Sequence, residues 1–151
     1  MGASFRDVLS YFEKEHKGYF EVGEEQQIVR ETIKGDNSSY KVAVAWNDEA
    51  SRINFWVRDI MTIPQPKRAT AGTLVNMINW RLDLSDFEFD MEDGELMVNL
   101  SFNLRDGTLG HDQIDSHFNA VVWIADKYYP AFQKVVWADV SPEEALASVN
   151  R

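Results

Sequence analysis

The segment Phe87-Glu88-Phe89-Asp90-Met91-Glu92-Asp93-Gly94-Glu95-Leu96-Met97-Val98-Asn99-Leu100 decides how this chain folds. Phe87, Phe89 and Met91 alternate with Glu88 and Asp90. Beyond the midpoint, Leu96, Val98 and Leu100 alternate with Met97 and Asn99. A period of two sends alternate side chains to opposite faces of a strand, so each half buries one face. Asp93-Gly94 is the dipeptide that favours a type I′ turn between two strands. A turn centred there pairs Met91 with Leu96, Phe89 with Val98 and Phe87 with Leu100, every pair apolar. The same register sets Asp90 against Met97 and Glu88 against Asn99 on the other face. A hairpin with one apolar face needs a second layer to cover it.

Working outward, a second hairpin precedes this one. Tyr40, Val42, Val44 and Trp46 alternate with Lys41, Ala43 and Ala45, and Ile53, Phe55 and Val57 alternate with Asn54, Trp56 and Arg58. The polar run 47–51 joins them as a turn. Pairing Trp46 with Ile53 brings the apolar faces together, although a two-residue slip would preserve the faces equally well. An earlier segment, about Gln27 to Lys34, places Glu31 between Val29 and Ile33 on one face. It reads as an edge strand, where a charge discourages unwanted pairing.

Three helical stretches and a short last one surround the strands. Phe5, Val8, Leu9 and Phe12 recur at helical spacing from about Ser4 to His16, with Ser4 as N-cap and Asp7 three positions on. Ala71, Leu74, Val75, Ile78 and Leu82 form the stripe of a helix from about Ala69 to Leu82, after the break at Pro64 and Pro66. Ile114, Phe118, Val121, Ala125 and Tyr128 form another after Gly110, expected to be interrupted at Pro130. Ser141-Pro142-Glu143-Glu144 starts the last, with Ser as cap, Pro at the first helical position and acids at the positive end of the dipole. Hairpins separated by helices predict an α+β fold: a two-layer sandwich of a mostly antiparallel five-stranded sheet with helices packed on one face.

The chain has 151 residues, 44 % apolar, with no cysteine and a formal charge of −10. That length carries a sizeable core, and that apolar fraction is too high for a disordered chain. The lack of cysteine excludes disulfides, thiol nucleophiles and thiolate metal sites. The acidic balance opposes general nucleic-acid binding. No stretch is long and apolar enough to span a membrane. Arg6 and Asp7 stand where the apolar part of a signal peptide would begin, so a cytoplasmic location is expected.

Chemistry-bearing patterns are sparse. There is no G-x-S-x-G elbow, no H-E-x-x-H and no phosphate-binding glycine motif. His111 and Asp115 stand one helical turn apart with His117 nearby, but a capping histidine and first-turn acids are ordinary at a helix start. No catalytic, cofactor-binding or metal-binding residue is assigned, and no cofactor is expected.

Two surface features remain. Seven acids and no base lie between Asp83 and Glu95, and Asp86, Glu88 and Asp90 share the non-core face of one strand. They form a candidate acidic patch, read either as a solvated face or as a surface that steers a basic partner. Trp56, Ile60 and Met97 are apolar on the outward side of their strands, with Ala43 and Ala45 making a shallow depression beside Trp56. Exposed apolar patches mark association, so these three residues are the candidate protein interface. Trp80, Trp123 and Trp137 read as core or helix-seam residues.

The run Leu74-Val75-Asn76-Met77-Ile78-Asn79-Trp80, the Asp93-Gly94 hairpin with Leu96-Met97-Val98, Tyr128-Tyr129-Pro130, and Ser141-Pro142-Glu143-Glu144-Ala145-Leu146 together resemble the YbjN family. These are small bacterial proteins whose fold is like that of type III secretion chaperones. The resemblance implies one domain over residues 1–151, a helix-flanked antiparallel sheet, frequent dimerisation and no known active site. Chaperones of similar fold bind non-globular segments of client proteins. The expected function is a non-enzymatic protein-interaction module, regulatory or chaperone-like, acting as a cytosolic homodimer with a protein partner and with neither nucleic acid nor membrane. The alternatives are a small-ligand sensor, its pocket lined by Phe55, Phe87, Phe89 and Phe118 between helices and sheet, and a hydrolase with a dispersed polar site.

Overall fold

The computed structural model describes residues 2–149. Helix α1 (Phe5–Glu15) starts at Ser4, whose N–H donates to Asp7 Oδ2 at 2.8 Å, and it buries Phe5, Val8, Tyr11 and Phe12. The strands β1 (Glu21–Gly23), β2 (Ile28–Lys34), β3 (Ser39–Asn47) and β4 (Arg52–Thr62) follow. After a 3₁₀ turn at Gln65–Lys67 come α2 (Arg68–Asn79), β5 (Asp86–Phe89), β6 (Glu95–Asn103), α3 (His111–Trp137) and α4 (Pro142–Val149). Six strands form one antiparallel sheet in the order β1-β2-β3-β4-β6-β5. The extra strand, β1, has three residues, too few to show a periodicity. It pairs only with Ile28–Arg30, so β2 is an edge strand over its second half alone.

The β3–β4 register sets Trp46 opposite Ile53, Val44 opposite Phe55 and Val42 opposite Val57, as the apolar faces require. The β5–β6 register departs from the expected one by two residues. Phe87 faces Val98, Glu88 faces Met97 and Phe89 faces Leu96. The connection is a four-residue loop, Met91–Gly94, closed by Asp90 N–H to Glu95 O at 3.0 Å and Gly94 N–H to Asp90 O at 2.8 Å. The wider loop is favoured by what it rests on. Ile63 N–H donates to Gly94 O at 2.8 Å, and the Arg68 guanidinium donates to the carbonyls of Ile63, Met91 and Glu92. Within the loop, Asp90 Oδ1 accepts from Glu92 N and Asp93 Oδ1 from Glu95 N, local turns that a two-residue hairpin would not accommodate. A slip of two keeps every side chain on its face, so the core survives the change. Met91, expected in the core, instead lies in the loop and is 54 % exposed.

Helix α3 runs unbroken through Pro130 for 27 residues, contrary to the expected interruption. Proline lacks the N–H that would bond the carbonyl four residues back, at Asp126. That carbonyl is taken by Asn37 Nδ2 at 2.9 Å, from the β2–β3 turn. The Asp126 carboxylate accepts from Asp36 N–H at 3.0 Å and Asn37 N–H at 2.9 Å in the same turn and from the Tyr40 hydroxyl, at the start of β3, at 2.7 Å. A lost helical hydrogen bond thus becomes a tertiary clasp.

Helix α3 lies across β3, β4 and β6, α1 packs on α3 and β3, α2 on β5, and α4 bridges α2 and α3. Asn79, at the end of α2, pairs with the outer edge of β5 as a neighbouring strand would. Its Nδ2 donates to Phe87 O at 2.9 Å and its Oδ1 accepts from Phe87 N at 2.8 Å. An edge so occupied is closed to further pairing there. The helices cover the face that carries Val44, Phe55, Val57, Leu96 and Val98, all fully buried. Phe55, Phe87 and Phe118 fill this core rather than line a cavity between the layers, and Phe87 meets Phe132 at 5.2 Å between ring centroids.

Candidate functional site

The face of the sheet turned away from the helices carries the features singled out from sequence. Strand alternation and register place one row across it: Arg30 beside Ala43, Ala43 beside Trp56, Trp56 beside Asn99, and Asn99 beside Asp86. The neighbouring row runs from Thr32 through Lys41 to Arg58, and Met97 sits beside Glu88 on the far side. Trp56 and Met97 are half-buried by their neighbours and open to the outside. Ala43 has too short a side chain to level the surface. A depression of about 640 Å³ opens there, lined among others by Tyr19, Arg30, Lys41, Ala43 and Arg58.

Ile60 leaves the expected interface. Between Val57 and Met61 the register to β6 slips: four residue steps on β4 match two on β6. Asp59 adopts a left-handed conformation there (φ 49°). This bulge breaks the alternation from which Ile60 was placed on the outer face. Ile60 is 8 % exposed and belongs to the core.

Charge on this face is ordered. The Arg58 guanidinium donates to both carboxylate oxygens of Glu95, at 2.8 and 3.3 Å. That hydrogen bond, against the opposing effect of burial, holds the Glu95 carboxyl below the usual range. Lys41 lies 3.8 Å from Asp59, an exposed pair of little energetic weight. Asp86 and Glu88 stand exposed on β5, and Asn99 Nδ2 donates to Glu88 Oε1 at 3.0 Å. Asp90 does not share their strand. It lies at the start of the loop, where its carboxylate caps Glu92 N–H.

On the helix side, a partly buried polar chain joins residues far apart in sequence. Glu31 Oε2 lies 2.5 Å from His16 Nδ1, His16 Nε2 is 3.0 Å from the Tyr11 hydroxyl, and that hydroxyl donates to Asp115 Oδ1 at 2.7 Å. Burial pushes the Glu31 carboxyl up against the pull of His16, and burial and Asp115 push the Tyr11 hydroxyl up. Glu31 thus sits in the part of β2 that β1 leaves as an edge, and on its inward face it meets His16. Only the charge at a core-facing position signalled this chain in the sequence. His111 turns to Ser10 Oγ at 3.2 Å, while Asp115 serves Tyr11 and Asn119, so the helical pair His111 and Asp115 does not act on one common group.

Three tryptophans expected in the core or at helix seams are on the surface. Trp80 is 91 % exposed at the end of α2, and Trp123 and Trp137 are exposed along α3. Each lies off the buried stripe of its helix, and Lys127 Nζ covers the Trp123 ring at 4.8 Å.

The comparisons with known proteins agree with this architecture. The model of the YbjN family, described as "Putative bacterial sensory transduction regulator", matches residues 6–134. Among curated protein sequences none matches. The crystal structure of YbjN from E. coli is similar with a TM-score of 0.61 at 13 % identity, over 81 % of this chain and 87 % of that one. The HopA1–SchA chaperone–effector complex contains a chain similar at a TM-score of 0.50 and 13 % identity, over 80 % of this chain and 90 % of that one. The ExsC–ExsE complex gives 0.49 and 16 %, over 70 % and 75 %.

Proposed function

The chain belongs to the YbjN family, and from that premise we propose that it is a non-enzymatic protein-interaction module, regulatory or chaperone-like. It acts as one domain, in the cytosol, as a homodimer with a protein partner. The observation that carries this reading is the open sheet face, where Trp56 and Met97 are only half-buried and Ala43, beside Trp56, lines a depression to which, among the described residues, no helix residue contributes. Apolar side chains gathered on an uncovered face favour association. The similarity to SchA supports a fold compatible with a chaperone-like role.

Multi-angle light scattering at micromolar concentration tests the oligomer, and twice the 17.4 kDa chain mass is expected. Trp56→Glu places a charge where an apolar ring packs, and it should weaken assembly by about 100-fold, the scale of a central aromatic contact. Circular dichroism should remain unchanged, because the helix-side core is untouched. Unaltered assembly of Trp56→Glu would remove this face from the interface.

A second reading, a small-ligand sensor, draws support from the depression, whose 640 Å³ falls within the range of ligand sites. It places the pocket outside the sheet, not between the layers. A thermal-shift screen of anionic metabolites checks it: a rise for one chemical class is the expected sign, and a flat response throughout argues against it.

A further inference from the structure

We infer that the open face pairs with the same face of a second copy about a two-fold axis running along β4. The inference rests on the homodimer reading and deepens it by naming the contacts. Its basis is a segregation of charge that emerges only when the strand registers are known. On the open face, β2, β3 and β4 present Arg30, Lys34, Lys41 and Arg58, whereas β5 and β6 present Asp86, Glu88 and Glu95. Asp59, turned out by the bulge, and Glu21 of β1, directly beside Arg30, are the acids on the cationic side. These four of the chain's 15 lysines and arginines stand on one half of one surface, in a chain of net charge −10.

Symmetry selects the axis. Apart from the three-residue β1 at one edge, the strands β2-β3-β4-β6-β5 are centred on β4. Two sheets stacked face to face can be related by a two-fold axis along the strands or across them. An axis across the strands lays β2 on β2 and β5 on β5, cation on cation and acid on acid. An axis along β4 lays β2 on β5, β3 on β6 and β4 on itself, and it keeps each residue row at its own level. The row Arg30-Ala43-Trp56-Asn99-Asp86 then meets its own reverse. Arg30 faces Asp86 of the second copy, the short Ala43 faces Asn99, and the two Trp56 rings meet at the axis. An isologous contact needs this kind of self-complementarity, in which one residue's partner is the residue it serves in return. Aligned sheets stack with a rotation of about 30°, which shifts the outer contacts by one side chain without exchanging the halves.

The available partners fit. Among the described residues Arg30 makes no ion pair with a carboxylate, and neither does Asp86. Arg58 and Glu95 neutralise each other near the axis, where an unpaired charge would be buried most deeply. Five strands of four to eleven residues present roughly 630 Å² per copy at the usual strand spacing and rise, approaching the ~800 Å² per partner of a stable interface.

Sedimentation equilibrium of the full chain, with Arg30→Glu, Asp86→Lys and the two combined, tests the pairing. Both side chains are exposed, and circular dichroism checks folding. Each single variant should raise the dimer dissociation constant about tenfold or more, and the double variant should return it to within about threefold of the parent. Arg30→Ala with Asp86→Ala, singly and combined, gives the same cycle should either charge reversal misfold. A parent protein that stays monomeric at about 100 µM overturns both this pairing and the dimer reading. A dimer indifferent to both single changes overturns the open-face interface alone. Weakening by the singles without restoration in the double overturns the proposed axis.

Discussion

Gly94→Ala should lower the melting temperature by about 10 °C, the largest single-residue effect expected outside the apolar core. Gly94 is buried with φ +81°, a conformation that costs an alanine about 1 kcal/mol before any contact is counted. The contacts add more. A Cβ there would stand 2.2 Å from the carbonyl oxygen of Ile63 and 3.1 Å from its nitrogen, both backbone atoms that no rotamer change can move aside. Relief requires the loop Met91–Gly94 to lift off the end of β4. That would break the Ile63 N–H to Gly94 O hydrogen bond and strip Arg68 of its carbonyl acceptors on the loop. Together these losses come to roughly 3–4 kcal/mol. Differential scanning calorimetry measures the shift. Gly110→Ala is the control, because its backbone has φ −84° and a Cβ there meets nothing within 4 Å. Equal melting temperatures for the two variants would refute the close approach of the loop to Ile63.

Asp126→Ala should cost about 3 kcal/mol at neutral pH, near 8 °C in melting temperature for a chain of this size. One carboxylate serves two backbone N–H groups on a turn and a hydroxyl beside it, 86 or more residues away in sequence. Its removal leaves the buried Tyr40 hydroxyl without its acceptor. Tyr40 reports the same contact in its own acidity: burial and the Asp126 carboxylate push its hydroxyl well above the usual tyrosine range. For Asp126, burial opposes ionisation, but the hydrogen bonds from Asn37, Tyr40 and Asp36 prevail and hold the carboxyl low. A lowered carboxyl stabilises the folded state fully above its unfolded value, about 3.9. That stabilisation is lost as pH falls from there through the folded value. The gap between parent and Asp126→Ala, followed by urea titration, should therefore be constant above about pH 5 and shrink in more acidic solution. A gap independent of pH would show that the charge of Asp126 contributes nothing. Gly35 lies against the same clasp, where a Cβ would meet Asp126 Oδ1 at 2.6 Å, so the turn has no slack to find another acceptor.

Both positions mark a boundary in what the chain's residues disclose on their own. Asp93-Gly94 is recognisable as a turn, and the flanking apolar residues are recognisable as one face. Turn length is another matter, because it depends on the Ile63–Gly94 and Arg68 contacts, which join separate parts of the chain. Pro130 is recognisable as a residue that cannot donate. Whether the helix breaks there depends on a substitute donor to Asp126, and Asn37 supplies it from a hairpin whose position no local pattern reveals. Ile60 was misplaced because alternation counts residues evenly, and the bulge at Asp59 does not. Trp80, Trp123 and Trp137 were misplaced because size and apolarity suggest burial, while the helix stripe decides which way a side chain points.

The candidate site divides in the same way. Trp56, Met97 and the short Ala43 could be placed on the outward face from alternation alone, as could Asp86 and Glu88. The gathering of Arg30, Lys41 and Arg58 opposite those acids needed the pairing of four strands, and so did the single row that carries Arg30, Trp56 and Asp86. The Glu31–His16–Tyr11–Asp115 chain links α1, β2 and α3, and only the packed structure brings them within hydrogen-bond reach.

By itself, then, the sequence determined the main apolar face of the longer strands and helices, and hence a helix layer on one face of a largely antiparallel sheet. Those properties follow from backbone periodicity, which acts over a few residues. The tertiary structure alone decided the β5–β6 register, the continuity of α3, the burial of Ile60 and the two-signed charge of the open face. A shift of two residues leaves local periodicity unchanged, so the choice falls to contacts between distant segments, where a carbonyl, a guanidinium or a carboxylate finds its partner.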